Sequence, residues 1–244
     1  MTVDATGPVG ITCSETHPVF SAVGDRLRDR GYTVSYFDPH RRIPREELRE
    51  LSLLVNKKTR PASVQSLVDA ERLGVPTWNS ATGVLACVSR FSQLCVLAGV
   101  GFPVPAASRC KPSGDYVAKR LYHWDMDPQL NGEGDLYETL LDVEPGDYKY
   151  YVVDDGKRHR TVVLRTTSKL YGEKRVLGES EPVPAQVRRI RLLMSKLDMR
   201  AIGVDLVHAS GDWYAVDLNP CPSFSDTGFE DVLAESIEST LASA

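Results

Sequence analysis

The apolar positions change rhythm along the chain, and each change marks an element. Residues 8–14 (PVGITCS), 32–38 (YTVSYFD) and 51–56 (LSLLVN) are short apolar runs that predict strands. Between the first two, His17 to Arg30 carries helical spacing and is closed by Gly31. PREELRE predicts a short helix, and a third helix opens with Pro61 in its first turn and stops at Gly74. Strand and helix alternating over some eighty residues predict a small parallel sheet with helices on both faces. Such sheets place ligands beyond the C-terminal strand ends, and Asn56, Lys57, Lys58 and Arg60 fall at one of them.

The texture then shifts. A long helix over 82–99 is expected to lead into the Pro-rich hinge GFPVP. Beyond it the period falls to two in DYVAKRL, DLYETLL, YKYYVVDD and RHRTVVLRTT, which predicts strands. The last two read as a hairpin turning at Asp155-Gly156. An Arg-rich helix over 185–199, a second hairpin and a helix from about Phe229 complete the chain.

Composition narrows the function classes. The 244 residues can bury a sizeable core, and a net charge of -4 leaves no electrostatic footprint for a nucleic-acid partner. Five scattered cysteines with no C-x-x-C pair point to reduced thiols in a cytoplasmic protein and away from a zinc site. Cys87 and Cys95 sit in an apolar run and are expected in the core. The N-terminus has no basic-then-apolar leader pattern. Gly83 to Phe102 is broken by Ser89, Arg90, Ser92 and Gln93, so no membrane span is expected. A soluble monomer or homodimer acting on a small molecule fits these bounds.

The second hairpin, GVDLVHASGDWYAVDLN (203–219), holds the most specific signal. With a turn centred on Gly211, from which 205 and 217 are equidistant, Asp205 is expected opposite Asp217, and Asn219 joins them on one face. Like charges facing each other across a strand pair are destabilising. Two readings resolve this. A hard divalent cation such as Mg²⁺ lies between the carboxylates, or both carboxylates are solvated on an exposed face.

D-x11-D-x-N followed by P-C-P-S resembles the metal-binding end of the ATP-grasp superfamily, whose strands read D…E-x-N-x-x-P-G. The similarity covers nearly the whole chain and keeps the order of parts. It implies an α/β N-terminal domain (1–82), a linking helix and hinge (83–104), a small lid subdomain (105–142) and a C-terminal subdomain with the metal site (143–244). In this α/β plus α+β arrangement the nucleotide is held between two β-sheet subdomains. Asp205, Asp217 and Asn219 would then bind one or two Mg²⁺ ions bridging the ATP phosphates. Lys119, in YVAKR, matches the lysine that reaches the α/β-phosphates. Glu138, Thr139, Leu140 and Leu141 match the hinge whose backbone receives the adenine edge. Asp147 aligns with an acidic residue near the ribose, and Arg90 with a basic residue facing the phosphates. Only 18 residues separate Lys119 from Glu138, with no Gly-rich lid beyond Asn131 to Gly134. His123 lies where the covering loop is expected to begin.

Most members are carboxylate–amine ligases, while the inositol-polyphosphate 5/6-kinases stop after phosphoryl transfer to a hydroxyl. Three details are similar to the kinases: Asp217 within V-D-L-N, Lys149 within Y-K-Y-Y-V-V, and V-N-K-K-T around Lys57. Residues 157–175 carry seven Lys/Arg against one Glu, including Arg165 and Lys169, which suits an anionic acceptor. These features favour narrowly a kinase-like transfer to an oxygen of a small anionic acceptor, with a RimK-like ligase as the alternative. Lys149 and Arg165 are the expected catalytic cations. Lys57, Lys58, Arg60, Lys169 and Ser223 are the expected acceptor contacts, with Ser223 standing where relatives have Gly.

Overall fold

A computed structural model describes residues 7–122 and 126–243. Its first unit alternates β1 (Val9–Ile11), α1 (Phe20–Asp29), β2 (Val34–Tyr36), α2 (Arg45–Arg49), β3 (Leu53–Val55), α3 (Pro61–Arg72) and β4 (Thr77–Trp78). The strands form a parallel sheet in the order β2-β1-β3-β4, as the alternation predicts. The strands are only two or three residues long, and all of β1 and β3 is buried.

The expected single helix over 82–99 is two helices, α4 (Ala81–Ala86) and α5 (Arg90–Ala98). Ser89 breaks the run: its backbone is extended, and its hydroxyl caps α5 by accepting from Ser92 N. The break also turns Cys95 to the exposed side, while Cys87 stays buried as expected.

Two antiparallel sheets follow. The smaller contains β5 (Ala107–Ser108), β6 (Tyr116–Lys119), β7 (Gln129–Leu130) and β8 (Leu136–Thr139), in the order β5-β8-β6-β7. The larger contains β9 (Asp147–Asp154), β10 (His159–Thr166), β11 (Val176–Ser180), then, after α6 (Pro184–Leu197), β12 (Ala201–Ala209) and β13 (Asp212–Asn219). Its order is β11-β10-β9-β12-β13, and α7 (Glu230–Ala242) ends the described chain.

Burial ties the two ends of the chain together. Phe20, Leu27 and Trp78 share a core with Tyr151, Val153, Ala201, Leu233 and Ile237, so α1 and α7 lie between the parallel sheet and the large antiparallel one. The Trp78 indole also donates to Ser236 Oγ at 2.9 Å. Fully burying such a side chain stabilises the fold by about 1.5–3 kcal/mol. A second core packs α5 and α6 under the other face of the large sheet. The small sheet's own buried cluster, among the described residues, is Tyr116, Ala118 and Tyr137. Among the described residues no helix is long and apolar enough to cross a membrane.

The start of α1 carries a pH-sensitive contact. Nδ1 of His17 accepts from Val19 N and Phe20 N, which requires an unprotonated ring nitrogen. Burial first, then the charges of Lys57 and Lys58, push the His17 pKa down to about 4. The unfolded chain therefore binds more protons than the folded one between about pH 6.5 and 4, and stability falls with pH through that window. Between pH 7 and 4.5 the protein is expected to lose about 2 kcal/mol more than His17→Asn, whose side-chain oxygen can cap without titrating. Urea unfolding of both proteins at the two pH values checks this, and parallel losses would remove His17 from the explanation.

Candidate active site

The β12–β13 hairpin does bring Asp205 opposite Asp217, by a route the residue count alone does not give. Ser210 and Gly211 both take positive φ in a two-residue turn, and Ala209 pairs with Asp212. Continued regularly, that register would set Asp205 against Val216 and send Asp217 to the other face. A β-bulge intervenes. Leu206 pairs with Ala215, then Asp205 pairs with Asp217, leaving Val216 as the extra residue. Its carbonyl accepts from Lys119 Nζ at 2.8 Å, which links the small sheet to the hairpin.

The row of side chains extends across a third strand. Lys149 on β9 pairs with Asp205 on β12, so Lys149, Asp205 and Asp217 lie side by side on one face. Lys149 Nζ is ion-paired with Asp205, and Arg90, at the start of α5, reaches Asp217 at 2.8 Å. Lys119 is ion-paired with Glu138 at 2.8 Å on neighbouring strands of the small sheet. Three cations thus face three carboxylates. This offsets the repulsion that the hairpin would carry by itself.

These six side chains line a cavity of about 320 Å³ between the two antiparallel sheets. Thr139, Leu140 and Leu141 form its hinge wall, while Asp147, Lys169 and Ser223 also face it. Glu138 is 3% exposed, and burial raises its pKa despite Lys119. Its Oε1 has no hydrogen-bond partner among the described residues. Burial, then the neighbouring Asp205, likewise raises the Asp147 pKa. Lys169 pairs with Asp127 across the mouth, joining the loop after β10 to the segment before β7. His123 lies outside the described residues.

Two expectations fail on geometry. Arg165 pairs in register with Tyr148, and Leu164 with Lys149, so Arg165 points to the face opposite Lys149. Its guanidinium donates to Pro145 O and lies over the Tyr148 ring, away from the face that carries Lys149. Lys57 is 2% exposed and donates to Cys221 O at 2.6 Å instead of lining the cavity. Burial lowers its pKa to about 8. Lys58 and Arg60 are exposed beside it and do not line the cavity either. Lys57 and Asn56 hold the segment that follows Asn219: Asn56 exchanges contacts with the Cys221 thiol, which burial raises to about 11.

Sequence reasoning missed Tyr151, Ser168 and Lys174, which also line the cavity. Tyr151 was legible in principle, two residues from Lys149 on the same strand face. The other two sit in the loop between β10 and β11, whose path no periodicity records.

The hairpin suits Mg²⁺ by its donor chemistry. Among the described residues no three His, Cys, Asp or Glu side chains gather to hold a metal. Asp205, Asp217 and Asn219 offer only hard oxygens, too few to complete an octahedron without phosphate or water. Cys221 N donates to Asn219 Oδ1 at 2.9 Å, which fixes the amide with its oxygen oriented and a second lone pair left.

Two antiparallel sheets gripping a cleft lined by lysines and carboxylates, behind a parallel α/β unit, make this the ATP-grasp fold. The ATP-grasp ligase PsnB complexed with a minimal precursor is 17% identical, with a TM-score of 0.69 over 98% of this chain and 99% of that one. PsnB superimposes similarly when it also holds Mg and ADP. An N5-carboxyaminoimidazole ribonucleotide synthetase from Thermotoga maritima gives 14% identity and a TM-score of 0.73, over 96% of this chain and 76% of that one. A RimK domain ATP-grasp protein from Sphaerobacter thermophilus gives 12% and 0.71, over 97% and 98%. No protein-family model and no curated protein matches the sequence.

Proposed function

We propose that the protein is an ATP-dependent carboxylate–amine ligase. The observation that carries this reading is the cavity lined by Lys119, Lys149 and Arg90 together with Glu138, Asp205 and Asp217. The likeness to structures of ligases supports it. The burial of Lys57 removes one feature that favoured an inositol-phosphate-type kinase, because that ammonium is committed to Cys221 O.

In this reading a carboxylate oxygen of the acceptor attacks the γ-phosphorus of ATP, and the bond to the β–γ bridging oxygen breaks to release ADP. The acylphosphate then loses inorganic phosphate as an amine attacks its carbonyl carbon. Mg²⁺ held by Asp205, Asp217 and Asn219 would supply charge neutralisation at the phosphates. Lys119 bears on the phosphates from the small sheet, and Lys149 and Arg90 from the large sheet and α5. The backbone of the Thr139–Leu141 hinge, which lines the cavity, receives the adenine edge. Lys169 and Lys174 at the mouth favour an acidic acceptor.

Phosphorus NMR with ATP, Mg²⁺ and pooled amino acids, acidic peptides and inositol phosphates tests the reading. Inorganic phosphate formed only when both an acid and an amine are present is the expected result. A stable phosphoester with no free phosphate would instead establish a kinase, and bound but unreacted nucleotide a binding protein.

A further inference from the structure

Asp205 and Asp217 each carry a cation of the chain's own. Lys149 Nζ sits on Asp205 with its side chain 14% exposed, and Arg90 reaches Asp217 with its side chain 8% exposed. Neither cation is a mobile surface group. Lys149 projects from the interior of β9 in register with Asp205, and Arg90 starts α5, held by its backbone N–H on Leu121 O. A bare divalent ion must therefore compete with an ammonium at one carboxylate and a guanidinium at the other. Taking both carboxylates would leave two positive side chains facing the ion in a half-enclosed cavity, where screening is weak. A polyphosphate arriving with the ion changes the balance, because its oxygens receive both displaced cations.

We propose that Lys149 and Arg90 are built-in counter-ions that make divalent-cation binding conditional on a polyphosphate, so that cation and nucleotide load together. This rests on the metal-ligand role of Asp205 and Asp217 given above, but it does not require any particular acceptor. It assigns the two cations a task before the chemistry, beyond touching phosphate during it.

The test is Mn²⁺ titration of the nucleotide-free protein, followed by the paramagnetic resonance signal of free Mn²⁺. It is repeated with inorganic tripolyphosphate as the probe. Wild-type protein is expected to bind Mn²⁺ at least about tenfold more tightly with tripolyphosphate than without it, beyond the affinity of tripolyphosphate itself for the ion. Lys149→Met and Arg90→Met should each tighten Mn²⁺ binding to the nucleotide-free protein by about tenfold while weakening tripolyphosphate binding. Lys149→Gln serves as a second variant, with circular dichroism reporting the fold of each. Wild-type protein that binds Mn²⁺ equally well without tripolyphosphate, or folded variants that bind it no more tightly, would overturn the proposal. Asp217→Asn separates the two readings. If that variant leaves Mn²⁺ binding unchanged, the metal-ligand assignment itself is wrong. If coupled binding holds while no acid and amine are joined, only the ligase reading falls.

Discussion

Asp217→Asn is expected to slow acid-dependent ADP formation by about 10³-fold, the scale on which removing one pre-aimed electrostatic group acts. The substitution keeps the shape of the side chain and an oxygen to accept from Arg90, so its effect comes from charge. Three cations now balance three carboxylates around the cavity, and Asp217 faces Asp205 across the bulged pair. Removing one negative charge makes the cavity net positive before any metal arrives and puts a neutral amide oxygen where the proposed anionic ligand stood. The side chain is 30% exposed, so circular dichroism should be unchanged and the loss should appear in turnover, measured with the acid and amine found by phosphorus NMR. Turnover within tenfold of wild type would sink the metal assignment.

The largest expected effect on stability lies elsewhere. Asn79→Ala should destabilise the fold by about 3–5 kcal/mol, because four buried backbone groups lose their partner together. Asn79, 1% exposed, donates to Ala201 O at 2.7 Å and Pro220 O at 2.8 Å. It accepts from Arg200 N at 2.7 Å and Ala201 N at 2.9 Å. One amide thus ties the end of β4 to the start of β12 and to the residue after Asn219. Urea unfolding measures the loss, and Asn79→Asp should recover only part of it, since a carboxylate keeps the acceptor and loses the donor. A loss below about 1 kcal/mol would show that water or backbone shift replaces these bonds.

How much of this was legible depended on how local the cause was. The parallel unit could be read because each helix declares its own ends, as Pro61 and Gly74 do for α3. Short edge strands such as β5, β7 and β11 could not, because two to five residues carry too little pattern and exist by pairing with a neighbour. The same distinction separates the site residues. Lys119 and Asp205 stand in strands whose alternation places them, while Asp217 reaches its face only through the bulge at Val216. Arg165 was misplaced because one residue of register decides its face, and register is a property of two strands. Lys57 was read as an accessible cation because its partner, Cys221, is 164 residues away.

The bulge at Val216 gives the spacing of the two aspartates a meaning of its own. In a regular hairpin with a two-residue turn, facing residues enclose an even number of positions. Asp205 and Asp217 enclose an odd one, eleven. Length changes in pairs at the Ser210-Gly211 tip would therefore keep the bulge and be neutral to the site, while losing one residue between Asp212 and Asp217 would leave ten, the count at which a regular ladder pairs the aspartates with no bulge and no spare Val216 carbonyl for Lys119. Parity, more than length, is what a designer grafting a longer tip onto this hairpin would have to preserve.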